Sequence, residues 1–174
     1  MGIFGNQRHR IRNFRKPELP RDFIFGILSF IILLLLSLAG TIIELLRHPD
    51  ALARVQAEVG ENLPPGARVD GGVLRKLQHL AWSVREVERL HPSADMLMRY
   101  AQEDLEVGDF IVPAGWLVMV AAGVAHRLPA VFKDPEQFDP LRYAPGRVED
   151  AQHRFTLIGF GGGMHRCAGV NFAN

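Results

Sequence analysis

Cysteine is nearly missing from this chain: its 174 residues include one, Cys167. A single thiol excludes an internal disulfide framework and any multi-cysteine zinc or iron–sulfur site. Seven histidines are scattered without a His-x-x-x-His pair, so a histidine metal cluster is not expected either. Charge of one sign does not dominate. Lysine and arginine number 20 against 19 acidic residues, a net charge of +1, which removes the electrostatic ground for nucleic acid as a partner. Internal repeats and low-complexity tracts are absent as well. What is present, 48% apolar and 22% charged residues, is the composition of a chain that folds as one domain or one domain plus an appendage.

That average hides an uneven chain. Residues 1–22 form a basic polar tail with Arg8, Arg10, Arg12, Arg15, Lys16 and Arg21. Residues 23–43 follow with 21 uncharged positions. As a helix rising about 1.5 Å per residue they span a hydrocarbon core of roughly 30 Å. This predicts a single-pass transmembrane helix and a membrane localisation. A buried core helix is the second reading. A cleaved signal peptide is the third, since Ser37-Leu38-Ala39 resembles a small-residue cleavage site. Six basic residues precede the segment and only Arg47 and Arg54 follow within twenty, so the positive-inside rule keeps the N-terminus cytoplasmic and sends the remainder across.

Beyond residue 43 the pattern is that of a folded domain. Pro49 and Asp50 open a helix with Leu52, Val55 and Val59 at helical spacing, and Gly60 is its expected stop. Residues 63–72 read as a loop. A second helix is predicted from about Val73 to Leu90, with Leu77, Leu80, Val84 and Val87 as its apolar stripe and His91-Pro92 as its end. Four short strands follow at Met96–Tyr100, Leu105–Val107, Phe110–Val112 and Leu117–Ala121, with Gly108-Asp109 and Pro113-Ala114-Gly115 as turns. Residues 127–155, with four prolines, read as an irregular meander.

Two places carry chemistry. Glu86 and Arg89, three apart on the second helix, share a face away from the apolar stripe, and periodicity alone makes them a solvent-exposed pair. The run Gly159-Phe160-Gly161-Gly162-Gly163-Met164-His165-Arg166-Cys167-Ala168-Gly169 is neither a dinucleotide fingerprint nor a phosphate loop. It offers bare backbone beside a thiol, with Arg166 and a following helix start favouring thiolate, the metal-ligating form. A single buried structural cysteine is the alternative for such a residue.

Phe160 to Gly169 resembles the haem-binding loop of the cytochromes P450, F-x-x-G-x-x-x-C-x-G. Glu86-Val87-Glu88-Arg89 resembles that family's E-x-x-R helix, and Phe138-Asp139-Pro140-Leu141-Arg142-Tyr143 its meander. The likeness covers roughly residues 42–174. Met96-Leu97-Met98-Arg99 and the histidine two residues before the cysteine look closest to the sterol 14α-demethylase branch, although Asp95 stands where an apolar, substrate-facing residue is expected. The resemblance implies a mainly helical α+β fold, the C-terminal part of the P450 fold in residues 44–174, with haem b as cofactor. It implies Cys167 as the iron ligand, His165 and Arg99 as partners of the haem propionates, Phe160 as the shield of the sulfur, and Gly161, Gly163 and Gly169 as the loop's close-approach positions. Glu86, Arg89 and Arg142 would form a buried structural network. The implied reaction is insertion of one oxygen atom into an apolar, sterol-like small molecule, with electrons from a ferredoxin or reductase.

The departures point the other way. The chain ends seven residues after Cys167, and residues 23–38 stand in place of the distal helix that carries the family's acidic residue and threonine. Gly159 replaces the proline common before the phenylalanine. The membrane orientation puts the haem loop outside the cytoplasm, away from the usual electron donors. A rearranged or truncated reading frame is therefore expected, with residues 1–40 foreign to a cytoplasmic domain. The second functional reading is a non-catalytic, membrane-anchored remnant.

Overall fold

The computed structural model describes residues 21–153, 155–167 and 170. The basic tail through residue 20, and Gly169, lie outside the described residues. The fold is mostly helical, of the α+β type, with four long and short helices leading into two small two-stranded sheets.

Helix α1 spans Arg21–Arg47. Within it Phe25–Arg47 is the one stretch among the described residues long and apolar enough to cross a membrane. Its second half is committed to the domain, because Thr41, Glu44 and Leu45 are buried. Gly40 permits this: a Cβ there would stand 3.0 Å from Val87 Cγ1.

Helix α2, Pro49–Asn62, begins on the proline expected. It does not stop at Gly60. Asn62 Nδ2 donates to the Glu58 carbonyl and Leu63 N to the Val59 carbonyl, so the glycine stays inside the last turn. Ala51 and Val55 join Leu45 in a small apolar core, with Leu52, Val59, Leu80 and Phe138 against it.

The single helix expected over 73–90 is two. A short α3, Gly71–Leu74, is capped by Asp70, whose Oδ1 accepts from Gly72 N and Val73 N. After a break, α4 runs Gln78–Leu90. The break arises because α4 takes its N-terminal cap from another helix. The Glu58 carboxylate of α2 accepts from His79 N at 2.9 Å and Leu80 N at 3.2 Å, satisfying donors that the α-helix itself leaves free. Leu77 and Val87 of the expected stripe are buried, while Leu80 and Val84 are half-buried.

The strands β1 (Met96–Tyr100), β2 (Leu105–Val107), β3 (Phe110–Val112) and β4 (Leu117–Ala121) have the expected bounds. β1 pairs antiparallel with β4, Met98 opposite Met119, and β2 with β3, Val107 opposite Phe110. Gly108, at φ 58°, lets the two-residue turn match the strand twist. Helix α5, Ala122–Ala125, follows β4 directly, and the Asp95 carboxylate accepts from its Gly123 N. The rest is meander, including a 3₁₀ turn at Pro140–Tyr143.

Candidate functional site

Helix α4 has two polar faces with opposite character. On one, Glu86 and Arg89 are 0% exposed, as is Arg142 from the meander. Periodicity alone had made the first two a surface pair. Instead Arg89 Nε and Nη2 donate to Glu86 Oε2 and Oε1 at 2.9 and 2.8 Å, a bidentate pair. Arg142 Nε donates to Glu86 Oε1 at 2.9 Å, Tyr143 Oη to Oε2 at 3.0 Å, and Asp139 N to Oε1 at 3.0 Å. The remaining guanidinium hydrogens serve backbone carbonyls. Arg89 reaches His126, Pro135 and Gln137, and Arg142 reaches Lys133 and Gln137. Arg142 also meets Glu149 Oε2 at 2.6 Å. Both guanidinium groups lie over the fully buried Phe132 ring, at 5.1 and 5.8 Å from its centroid.

Burial opposes charge on Glu149, but hydrogen bonds from Arg147 and Arg142 outweigh it and hold the carboxyl below its usual range. Burial and the neighbouring Glu86 carboxylate push the Tyr143 hydroxyl well up. The meander is thus clamped to α4 by charge-assisted bonds that reach its backbone at several points.

The clamp extends to the cysteine loop through His126. Its ring is fully buried and, by that burial, held toward the neutral form. Nδ1 lies 3.2 Å from the Arg89 carbonyl, and Nε2 accepts from Ile158 N at 2.8 Å. Ile158 O in turn accepts from Gly161 N at 2.8 Å, and Phe160 O from Cys167 N at 2.8 Å. Gly161 and Gly163 have φ of 74° and 62°, values that side chains with a Cβ resist. The loop therefore folds back so that Cys167 stands beside Phe160.

There it lines a cavity of about 270 Å³ together with Phe30, Leu33, Leu34 and Ser37 of α1, Val84 and Glu88 of α4, and Leu97 of β1. The walls are apolar except for Ser37, Ser93 and Glu88. A second cavity of about 530 Å³ lies beyond Glu88, Phe160 and Gly161, reaching Trp82 and Arg166.

Glu88 is the odd group. Burial raises its carboxyl to about 7 against the pull of Arg85 and Arg166. A Cβ on Gly159 would lie 2.9 Å from its Oε1 and 3.1 Å from its Cγ. Glycine at 159, where the family commonly has proline, makes the room this side chain occupies.

A sequence profile of the cytochromes P450 matches residues 36–174. The chain belongs to the cytochrome P450 family. It is 41% identical over 133 residues to the sterol 14α-demethylase of Mycolicibacterium vanbaalenii, covering 76% of this chain and 29% of that protein. The same identity holds for the sterol 14α-demethylase of Mycobacterium tuberculosis, of which 30% is covered. The sterol 14-demethylase of Arabidopsis thaliana is 40% identical over 114 residues, 62% of this chain and 23% of that protein. The P450 resemblance thus lies on the sterol-demethylase side of the family, and the chain spans about a third or less of the length of the relatives it matches. Membership implies haem as the cofactor.

The P450 residues named from sequence fall in three groups. Cys167, Phe160 and Gly161 line the cavity, and its apolar walls and lone thiol suit a flat apolar group held by sulfur. Glu86, Arg89 and Arg142 meet behind it. Arg99 stands apart, exposed, its Nη1 donating to the Met98 carbonyl at 2.7 Å. Gly163 and His165 form a 3₁₀ turn with Met164. Asp95, expected to face substrate, is not in the cavity wall; it caps α5.

Sequence reasoning did not single out Glu149, Phe132 or Glu88. For Glu88 a signal existed in the non-proline at 159; for the other two there was none.

Proposed function

We propose that this chain supplies the cysteine side of a haem-thiolate monooxygenase centre in which Cys167 is the iron ligand. The observation that carries the reading is the cavity that places the lone thiol against Phe160 and Gly161 beneath an apolar helix. Haem held there by a thiolate would supply oxygen activation, the sulfur donating electron density that favours O–O cleavage.

The chain's own residues do the holding. His126 fixes Ile158, the Phe160 carbonyl fixes the Cys167 amide, and the Glu86–Arg89–Arg142 network fixes the meander on which His126 and Ile158 bear. Cys167 is exposed in this chain, and Phe160, beside it in the cavity wall, would shield the sulfur once haem is bound. Arg99 and His165 would pair with the propionates, and Gly161, Gly163 and Gly169 would keep side chains off the loop. The substrate would be an apolar, sterol-like molecule, as the names of the relatives suggest, and the electron donor a ferredoxin or reductase. The organisation proposed is a basic tail over 1–22, an apolar segment over 23–43 that attaches the chain to a membrane, for which a single-pass span is one geometry, and the P450 portion over 44–174.

A second reading, a membrane-attached chain that binds without turnover, is favoured by one observation. The α1 wall of the cavity consists of Phe30, Leu33, Leu34 and Ser37, which hold no carboxyl group to move a proton, and the cavity's one carboxyl is Glu88 of α4. The carbon-monoxide difference spectrum of the reduced, haem-reconstituted chain tests the first reading. A thiolate-type band that Cys167→Ser removes is expected, and a band that survives Cys167→Ser would refute the ligand assignment. Substrate turnover with an electron donor then separates the two readings.

A further inference from the structure

We propose that α1 lies along the surface of an anionic bilayer, its outer face sunk in one leaflet, and does not pass through. This goes beyond the haem reading and is independent of it.

The reason is a conflict between two uses of one helix. Phe30, Leu34, Ser37, Thr41 and Glu44 recur at intervals of four and three, and this stripe faces the cavity and α4. Its lower half is tied down by polar contacts: Ser37 Oγ lies 3.2 Å from Ser93 Oγ, and Glu44 Oε1 lies 3.0 Å from His91 Nε2. Val87 fits against Gly40 between them.

A crossing helix would have to carry these groups, and the charged helix α4 they hold, into hydrocarbon. It could otherwise use only the part before Ser37. That part, residues 23–36 between the charged Asp22 and Ser37, is 14 positions long, about 21 Å against a core of roughly 30 Å. The docked helix is too short to span.

The opposite side of α1 shows what it does instead. Leu28, Ile32, Leu35, Leu36, Ile43 and Leu46 are each between 49% and 66% exposed. They form a ridge of about 27 Å that runs beside the docked stripe, past Ser37 and Glu44, to the end of the helix. Ahead of Ser37 the exposure goes nearly all round the helix, with Phe25, Ile27, Ile31 and Leu33 between 38% and 65% exposed, but it does not stop where docking begins: Leu38, Ile42, Ile43 and Leu46 carry it on past Ser37 and Glu44. Alone, α1 is apolar on all sides; docked, it acquires a polar side from the domain, the two-faced arrangement of helices that lie in a membrane interface.

Charge selects the lipid. The chain preceding the ridge carries six lysines and arginines against Glu18 and Asp22 in residues 1–22, so this end favours anionic headgroups; Arg47 and Arg54 at the other end are paired with Glu44 and Asp50.

The test is made on the full chain, synthesised without cells in the presence of preformed sealed vesicles of phosphatidylcholine and phosphatidylglycerol. Two forms are compared: the native chain, whose one thiol is Cys167, and Asn6→Cys in a Cys167→Ser background. Both should float with the vesicles, and both thiols should react fully with an impermeant maleimide before detergent is added. Flotation should fall several-fold when phosphatidylglycerol is omitted. If either thiol, that of the Asn6→Cys form or Cys167, is protected until the vesicles are dissolved while the other reacts, the helix crosses and the proposal fails. Chain left at the bottom of the gradient, single or dimeric, also overturns it, and flotation indifferent to phosphatidylglycerol overturns the choice of lipid.

Discussion

Glu86 and Glu88 stand two residues apart on α4 and meet opposite fates. Glu86 is fully buried and accepts from Arg89, Arg142, Tyr143 and the Asp139 amide. Glu88 is less buried, yet among the described residues its carboxylate makes no hydrogen bond or ion pair, and it is Glu88 that is pushed toward the neutral acid. The two positions differ in their supply of donors: Glu86 has its lone pairs filled by partners, and Glu88 does not. The comparison also separates a face of α4 built to hold the meander from a face left open to a cavity.

Breaking the filled side should have the largest effect. Glu86→Ala strands two buried guanidinium groups and is expected to cost about 3–5 kcal/mol, read as a collapse of the urea unfolding midpoint. A loss under about 0.5 kcal/mol would show that the network contributes little.

The unfilled side should respond in the opposite direction. The Glu88 carboxyl titrates above its unfolded value of 4.5, at about 7. The folded chain then keeps a proton that the unfolded chain loses, so its stabilising share is complete below about pH 4.5 and disappears as the pH rises through 7. Glu88→Gln should flatten that part of the stability profile and make the chain more stable than the parent at pH 8, by about 2 kcal/mol. Thermal melts of both forms from pH 4.5 to 8 give the answer, and parallel profiles would rule out this titration.

A smaller effect should tie Glu88 to the loop. Gly159→Ala brings a Cβ against the carboxylate end of a side chain that can partly yield, and about 1 kcal/mol is expected. The same change made on Glu88→Ala should be nearly free. Additivity in this double-mutant cycle would mean that the two positions do not share space. Smallest of all, Ser37→Ala removes one exposed hydroxyl contact with Ser93 and should shift the melting midpoint by an amount near about 0.5 kcal/mol.

These contrasts also mark what the sequence could tell. The turn residues Gly108-Asp109 and Pro113-Ala114-Gly115 marked off the short strands, because turn chemistry is visible locally. The order of motifs, with Glu86, Arg89, Arg142 and Cys167 in their family spacing, gave the family. Periodicity misjudged Glu86 and Arg89 for a physical reason: the groups that make their burial tolerable, Pro135, Gln137 and Arg142, lie some fifty residues further along the chain. The break before α4 was hidden likewise, since Glu58, its cap, is 21 residues upstream of His79. The cavity's α1 wall was beyond reach because an apolar helix reads the same whether it faces lipid, core or cofactor.

Gly40 gives α1 a fulcrum. At that point the helix touches Val87 with no side chain between, while Phe30, ten residues back, hangs over the cavity about 15 Å away along the axis. A pivot of ten degrees at Gly40 would swing Phe30 by about 2–3 Å, on the order of the width of a methyl group. The gauge of the space above Cys167 is thus set far from the thiol, by one missing Cβ, and a bulkier residue at 40 would act on the cavity as a wedge acts on the far end of a door.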